Sequence, residues 1–151
     1  MNITDIAYAA GVVDGEGHVA IHRHWYSSKR FGRYAVYSCA VSVTNTNEPV
    51  LQWLKELFGV GNVYPEGRKK PLKPHYKPRF MWILSAKQAA RVITVLLPFL
   101  RIKKEEALLM LALDATMDKT LPHVKQRELA PVRDALYIKC RSYKAYCGRR
   151  P

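Results

Sequence analysis

Ala9-Ala10-Gly11-Val12-Val13-Asp14-Gly15-Glu16-Gly17 is the stretch that decides how this 151-residue chain is read. It closes a short helix of small apolar residues and runs into two acids interleaved with glycines. From Asp5 to Asp14 the only helix breaker is Gly11. Thr4 is placed to cap the first turn, with Ile3 before it as a hydrophobic staple. Ala7, Gly11 and Asp14 recur at i, i+4 and i+7, one face of about three turns. A stripe with so little side-chain volume suits close approach of two helix backbones, so Ala7, Ala10, Gly11 and Asp14 are the candidate helix–helix contact. Gly15 and Gly17 are expected to take positive φ, ending the helix and turning the chain into a strand. Glu16 then stands at the helix tip as a carboxylate presented by stiff backbone.

The bulk composition narrows the partners. A chain of this length supports one domain, residues 1–151, and 48% hydrophobic residues argue for a packed core. Twenty-five Lys and Arg against 12 Asp and Glu leave a net charge of +13, which points to a polyanionic partner, nucleic acid before an acidic membrane. No apolar run reaches the ~18 residues of a membrane span and the N-terminus has no signal-like apolar segment, so an intracellular, non-secreted protein is expected, cytoplasmic or organellar. Cys39, Cys140 and Cys147 lack metal-ligand spacing and read as reduced thiols.

Beyond Gly17, residues 18–26 read as a strand and 27–32 as a polar basic loop. A second strand over 34–45 alternates cleanly, with Ala35, Tyr37, Cys39, Val41 and Val43 on one face. Tyr34, Val36, Ser38, Ala40, Ser42 and Thr44 form the other, which is small and uncharged enough for close approach to another molecule. Glu48 to Phe58 is an amphipathic helix with Pro49 in its first turn and a face of Val50, Leu51, Leu54, Leu57 and Phe58. Gly59-Val60-Gly61 leads to a strand near 62–66, and prolines break 67–78. Arg79 to Leu84 is a strand, Ser85 caps a helix over 86–97, and Pro98 stops it. A helix over 103–116, a linker around 120–123 and a further helix over 128–146, interrupted or restarted at Pro131, complete the chain. The order α-β-β-α-β-β-α with extra C-terminal helices is an α+β fold: an antiparallel sheet covered by helices on one face and open on the other.

The positive charge gathers at the hairpins. His22, Arg23, His24, Lys29, Arg30 and Arg33 belong to the first, with Trp25, Tyr26 and Tyr34 among them. Arg68, Lys69, Lys70, Lys73, His75, Lys77 and Arg79 crowd the second. Side chains on the open face (Ala20, His22, His24, Tyr26, Ser38, Ala40, Ser42, Thr44, Arg79, Met81) are candidates for base edges, and the loop Lys and Arg for phosphates. The C-terminal Lys139, Arg141, Lys144, Arg149 and Arg150 add further basic groups. Tyr137, Tyr143 and Tyr146 are placed to pack against the body or to stack on bases.

The nine residues from Ala9 to Gly17 resemble, in register, the motif for which the LAGLIDADG homing endonucleases are named, with Ala for the first Leu and Glu for the second acid. The resemblance extends over the element order to about residues 4–116. The chain carries one copy of the motif, since Leu111–Asp118 echoes it without either glycine. One copy implies a homodimer in which two motif helices meet and two Glu16 side chains approach the axis. The same resemblance implies a saddle-shaped sheet on double-stranded DNA, and a pseudo-palindromic site of roughly 20 bp. It makes Glu16 a ligand of Mg²⁺, for which Mn²⁺ or another divalent ion can substitute, with the Gly15 carbonyl beside it. These are hard oxygen donors of the kind Mg²⁺ accepts while keeping several waters.

Two more positions follow by resemblance. Asn45, after Val43-Thr44, is the polar side chain near the attacking water. Lys103, ending Pro98-Phe99-Leu100-Arg101-Ile102-Lys103, is the basic residue near the scissile phosphate. A cation there sits against the dipole of the helix it begins, which is a mismatch unless it has another task. Asp14, two residues before Glu16, is expected to cap or hydrogen-bond across the helix pair. The family's basic residue just past Asn45 is missing, because Asn47, Glu48 and Pro49 stand there. The implied activity is site-specific double-strand DNA cleavage. The alternatives are an RNA-binding intron maturase on the same scaffold and a DNA-binding regulator that does not cut.

Overall fold

The structure, a computed structural model, describes residues 1–30, 32–66, 77–117, 120 and 127–145. Helix α1 (Ile3–Glu16) leads into strand β1 (Gly17–Ser28), which turns back as β2 (Gly32–Asn45). Helix α2 (Glu48–Phe58) and strands β3 (Asn62–Pro65) and β4 (Phe80–Ser85) follow, then α3 (Lys87–Leu96), α4 (Lys104–Ala115) and α5 (Ala130–Ala145). The four strands form one antiparallel sheet in the order β1-β2-β4-β3.

Alternation decides which face the helices cover. Val19, Ile21, Tyr37, Cys39, Val41, Val43, Trp82 and Leu84 point to one side and are buried. Against them pack Leu51 and Leu54 of α2, Val92, Ile93 and Leu96 of α3, and Ala107, Met110 and Leu113 of α4. Each Val, Leu, Ile and Met among them contributes about 1.5–3 kcal/mol on burial. Trp82 is fully buried and its indole N–H donates to the Val60 carbonyl at 3.1 Å. Gly61 makes room for that ring: at φ +85°, a Cβ there would stand 2.5 Å from Trp82 Nε1.

Several boundaries differ from expectation for identifiable reasons. Asn2, not Thr4, caps α1, its side-chain oxygen accepting from the Thr4 N–H at 3.2 Å. Gly15 stays helical and Gly17 is extended at φ −84°. Gly17 is needed for proximity instead, since a Cβ there would meet the Val13 carbonyl oxygen at 2.4 Å. Ser85 does not cap α3, because it remains in the sheet opposite Ala40. Ala86 makes the turn into the helix at φ 49°, a region that costs an L-residue energy, and no side chain caps α3. At the end of β2 the hand-off is orderly: Asn45 Oδ1 accepts from the Asn47 N–H at 2.8 Å, and Asn47 Oδ1 caps α2 through the Val50 N–H at 3.4 Å.

The inner and outer parts of the β1–β2 hairpin have different neighbours. Residues 40–43 of β2 pair with β1 on one side and β4 on the other, and residues 44 and 45 pair with β4. Beyond them, among the described residues, 22–28 of β1 and 32–38 of β2 pair only with each other, as a two-stranded ribbon under which α5 lies. No described helix is long and apolar enough to cross a membrane.

Candidate functional site

The C-terminal end of α1 gathers the residues singled out in the sequence. Asp14 is nearly buried, at 9% exposure, and its carboxylate is fully engaged within its own chain. Oδ2 accepts from the Arg101 and Ile102 N–H groups at 2.7 and 3.2 Å, and Oδ1 from the Lys103 N–H at 3.0 Å. A carboxylate at the start of α4 satisfies backbone donors that the helix cannot and faces the positive end of its dipole. Asp14 therefore does cap, but it caps the 101–103 turn of its own chain, and its lone pairs facing those donors are not available to a metal.

Lys103 returns the contact. Its ammonium donates to the Asp14 main-chain carbonyl in the last turn of α1. The charge that opposes the α4 dipole thus settles at the negative end of another helix, which resolves the mismatch seen in the sequence. Glu16 is the last residue of α1 and is exposed. Gly17 pairs with Val43, so the end of α1 lies alongside the end of β2, with Asn45 two residues further on. Since the Asn45 side-chain oxygen is held by Asn47, its two amide N–H donors are what it can offer to a water or phosphate.

The expected helix contact divides in two. Ala10 and Asp14 are buried in their own chain, against the body of the molecule, and present nothing to a second copy. Ala7 and Gly11 are exposed, and with Thr4, Tyr8 and Gly15 they form the outward stripe of α1. Among the described residues, nothing lies within 4 Å of where a Cβ at Gly11 or Gly15 would be.

The open sheet face holds most, not all, of the residues expected there. His22, His24 and Tyr26 of β1 stand opposite Ser38, Val36 and Tyr34 of β2. Ser42 and Thr44 continue the face to Ile83 and Met81 of β4, and Tyr64 of β3 stands opposite Met81. The His22 and His24 rings stack at 6.1 Å and those of Tyr26 and Tyr34 at 6.2 Å. Ala20 shares the face but is buried. Lys29 and Arg30 occupy the exposed hairpin turn and Lys77 is exposed. Arg68, Lys69, Lys70, Lys73 and His75 lie outside the described residues.

Three arginines depart from expectation. Arg23 points to the helix side, where Nη1 donates to Asp134 Oδ1 at 2.5 Å and the guanidinium lies 4.5 Å from the Tyr137 ring centre. Arg33 is on the same side, 4.6 Å from the Trp25 ring centre. Their parity with Val19, Ile21, Ala35 and Tyr37 was visible in the sequence, and the clustering of positive charge obscured it. Arg79 sits just before β4 and forms a two-point ion pair with Glu66, at 2.5 and 2.9 Å, that offsets its charge.

The residue the sequence did not reveal is Asp134 of α5. The Tyr37 hydroxyl also donates to it, at 2.9 Å, and these two hydrogen bonds, Tyr37 first and then Arg23, hold its pKa below the usual carboxylate range. The same partnership raises Arg23, while burial foremost raises the Tyr37 hydroxyl. Tyr137 packs edge-on to Tyr37 with ring centres 6.3 Å apart, against the body as the sequence favoured.

Sequence comparison finds no matching family model and no matching curated protein. Comparison of structures is decisive. The chain matches the homing endonuclease I-CvuI, solved in complex with a DNA target in the presence of Mg, with a TM-score of 0.70 at 18% identity over 98% of this chain and 85% of that one. The chain has the LAGLIDADG homing-endonuclease fold. I-Vdi141I, an archaeal intron-encoded homing endonuclease complexed with DNA, matches this fold at a TM-score of 0.66 and 18% identity, over 91% of this chain and 84% of that one. The meganuclease I-SmaMI bound to uncleavable DNA matches at 0.60 and 21% identity, over 89% of this chain but 44% of its own.

A divalent ion is part of the expected chemistry, and the donor set can be judged on its own terms. Glu16 offers an exposed carboxylate, and Gly15 a carbonyl in the final turn, where helix carbonyls lack internal partners. Among the described residues no group of three or more His, Cys, Asp or Glu side chains could hold a metal, so one chain supplies a minimal set. Oxygen donors in that number suit Mg²⁺, which keeps waters and shares substrate phosphates.

Proposed function

We propose that the protein is a homodimeric, site-specific double-strand DNA endonuclease that works with a divalent ion, Mg²⁺ first and Mn²⁺ as a substitute. The observation that carries this reading is that an exposed Glu16 ends the helix whose last turn, at the Asp14 carbonyl, receives the Lys103 ammonium, beside an open sheet face. The fold shared with DNA-complexed homing endonucleases supports it. So does a net charge of +13, which favours a polyanion.

In this reading Glu16, with the Gly15 carbonyl, holds the ion. When bound, the ion supplies charge stabilisation at the phosphate and a more acidic water. Lys103 lies beside the scissile phosphate and stabilises charge that develops there. Asn45 donates from its amide to orient the attacking water. His22, His24, Tyr26, Tyr34, Ser38, Ser42, Thr44 and Met81 face base edges, and Lys29, Arg30, Lys77 and the basic residues 68–73 hold phosphates. The outward stripe of α1, with Ala7, Gly11 and Gly15 at its centre, meets its copy across a two-fold axis. I-SmaMI is long enough for two units of this size, which is consistent with a pair of such units as the working form.

The experiment begins by selecting cleaved sequences from a randomised duplex library. The selected duplex is then offered to wild type and Glu16→Gln with and without Mg²⁺. Wild type is expected to cut both strands only with the ion, and Glu16→Gln to bind without cutting. Affinity should fall with salt at a log–log slope of about −0.9 per phosphate neutralised. Full-speed nicking by Glu16→Ala, or a strictly monomeric complex with the selected duplex, overturns the proposal. Binding without any cutting by wild type favours the regulator, and stimulated intron splicing the maturase.

A further inference from the structure

Among the described residues, the outer half of the β1–β2 hairpin is a ribbon with no third strand, since β4 reaches only residues 40–45 of β2. A two-stranded ribbon is marginal alone in water, and its twist varies more than that of a wider sheet. Among the described residues, close packing does not fully support it from below: a cleft of about 840 Å³ opens between it and α5, lined by Trp25, Arg33, Ala35, Pro131 and Arg133 among others. At the inner edge of this cleft a single carboxylate spans both strands. Arg23 and Tyr37 are directly paired across the ladder, and Asp134 Oδ1 accepts from both, at 2.5 and 2.9 Å. On the opposite face the same stretch carries His22, His24, Val36 and Ser38.

We propose that Asp134 of α5 is a positioning residue for DNA recognition, a staple that fixes the tilt of the outer ribbon through Arg23 and Tyr37. The inference rests on the endonuclease reading and assigns to α5 a part in specificity without a contact to DNA. Losing the Asp134 hydrogen bonds leaves the Asp14–Lys103 joint at the α1 end intact, because Asp134 takes no part in it. The ribbon then samples more orientations, so its base-facing side chains are no longer held in one register on the duplex. A charge-assisted hydrogen bond between packed elements loses little on forming, whereas a ribbon without it must be ordered each time it binds.

The test uses the full-length protein and the selected duplex. Asp134→Ala is expected to weaken binding about tenfold while the single-turnover cleavage rate at saturating protein stays within about twofold. Tolerance to base changes should broaden at the outer positions of each half-site and stay the same near the centre. Asp134→Glu should recover part of the affinity. Arg23→Ala should add little to Asp134→Ala, because both act through one contact. If Asp134→Ala does not fold, Tyr37→Phe removes one of the two donors with the ring retained, and should show the same split at smaller size. An unchanged affinity and specificity profile, or equal losses in binding and saturated rate, overturns the inference. If wild type selects no duplex at all, the endonuclease reading fails instead.

Discussion

The inner and outer halves of one hairpin contrast sharply. From Gly17 to Ile21 and Cys39 to Asn45 the strands are part of a wider sheet covered by helices, and Val19, Val41 and Val43 have almost no exposure. From His22 outward, Trp25 and Tyr26 are each 52% exposed and the principal polar anchor is Asp134. One continuous pair of strands thus has a third strand beside it at one end and, among the described residues, none at the other. The wider end adjoins Glu16 and the narrower end reaches away from it. In the proposed function, chemistry needs fixed geometry, and reading a long duplex needs a surface that can settle onto it.

The strongest way to break this contrast is to remove core volume from the inner half. Trp82→Ala should cost about 3–5 kcal/mol in denaturant unfolding, since it leaves a cavity and an unpaired Val60 carbonyl. Asp14→Asn should cost about 2–3 kcal/mol, because it removes a charge that serves three N–H donors at the head of α4. Two glycines two residues apart sharpen the picture. Gly17→Ala should lose about 1–3 kcal/mol from the clash with the Val13 carbonyl. Gly15→Ala should leave the monomer unharmed or gain about 0.5–1 kcal/mol of helix stability, while the proposed dimer should weaken in sedimentation. In the outer half, Trp25→Ala should change unfolding by about 1 kcal/mol or less, the ring being half exposed with arginines over it.

Titration separates the halves as well. Burial pushes the Cys39 thiol up to about 12, so it should resist alkylation at pH 8 until the protein unfolds. A folded pKa above the unfolded value means that its contribution is complete below about pH 8.5 and is lost as pH rises toward 12. Asp134 has the opposite sign. Its folded pKa is depressed, so its staple is intact above the ordinary aspartate range and is released as pH falls through the lower folded value. Tryptophan fluorescence, which includes Trp25, should follow that release on acidification.

Much of this was legible in the chain because local rules and burial agree. The alternation from Ala35 to Val43, the punctuation by Gly59 and Gly61, and the amphipathic run Glu48–Phe58 each found the expected element. What escaped depended on partners far away in sequence. Ser85 looks like a cap, yet its pairing with Ala40 keeps it in the sheet. Asp14 meets residues 87 to 89 positions onward, and Asp134 meets Arg23 across 111, so no local pattern announces either. Ala10 read as contact surface because small residues say how near a neighbour comes, not whether that neighbour belongs to the same chain.

The joint between α1 and α4 is an exchange. Asp14 leaves α1 to neutralise the positive end of α4, and Lys103 leaves α4 to neutralise the negative end of α1. Such a joint has polarity, like a plug that fits one way round. Inverting either sign would set like against like a residue or two from Glu16.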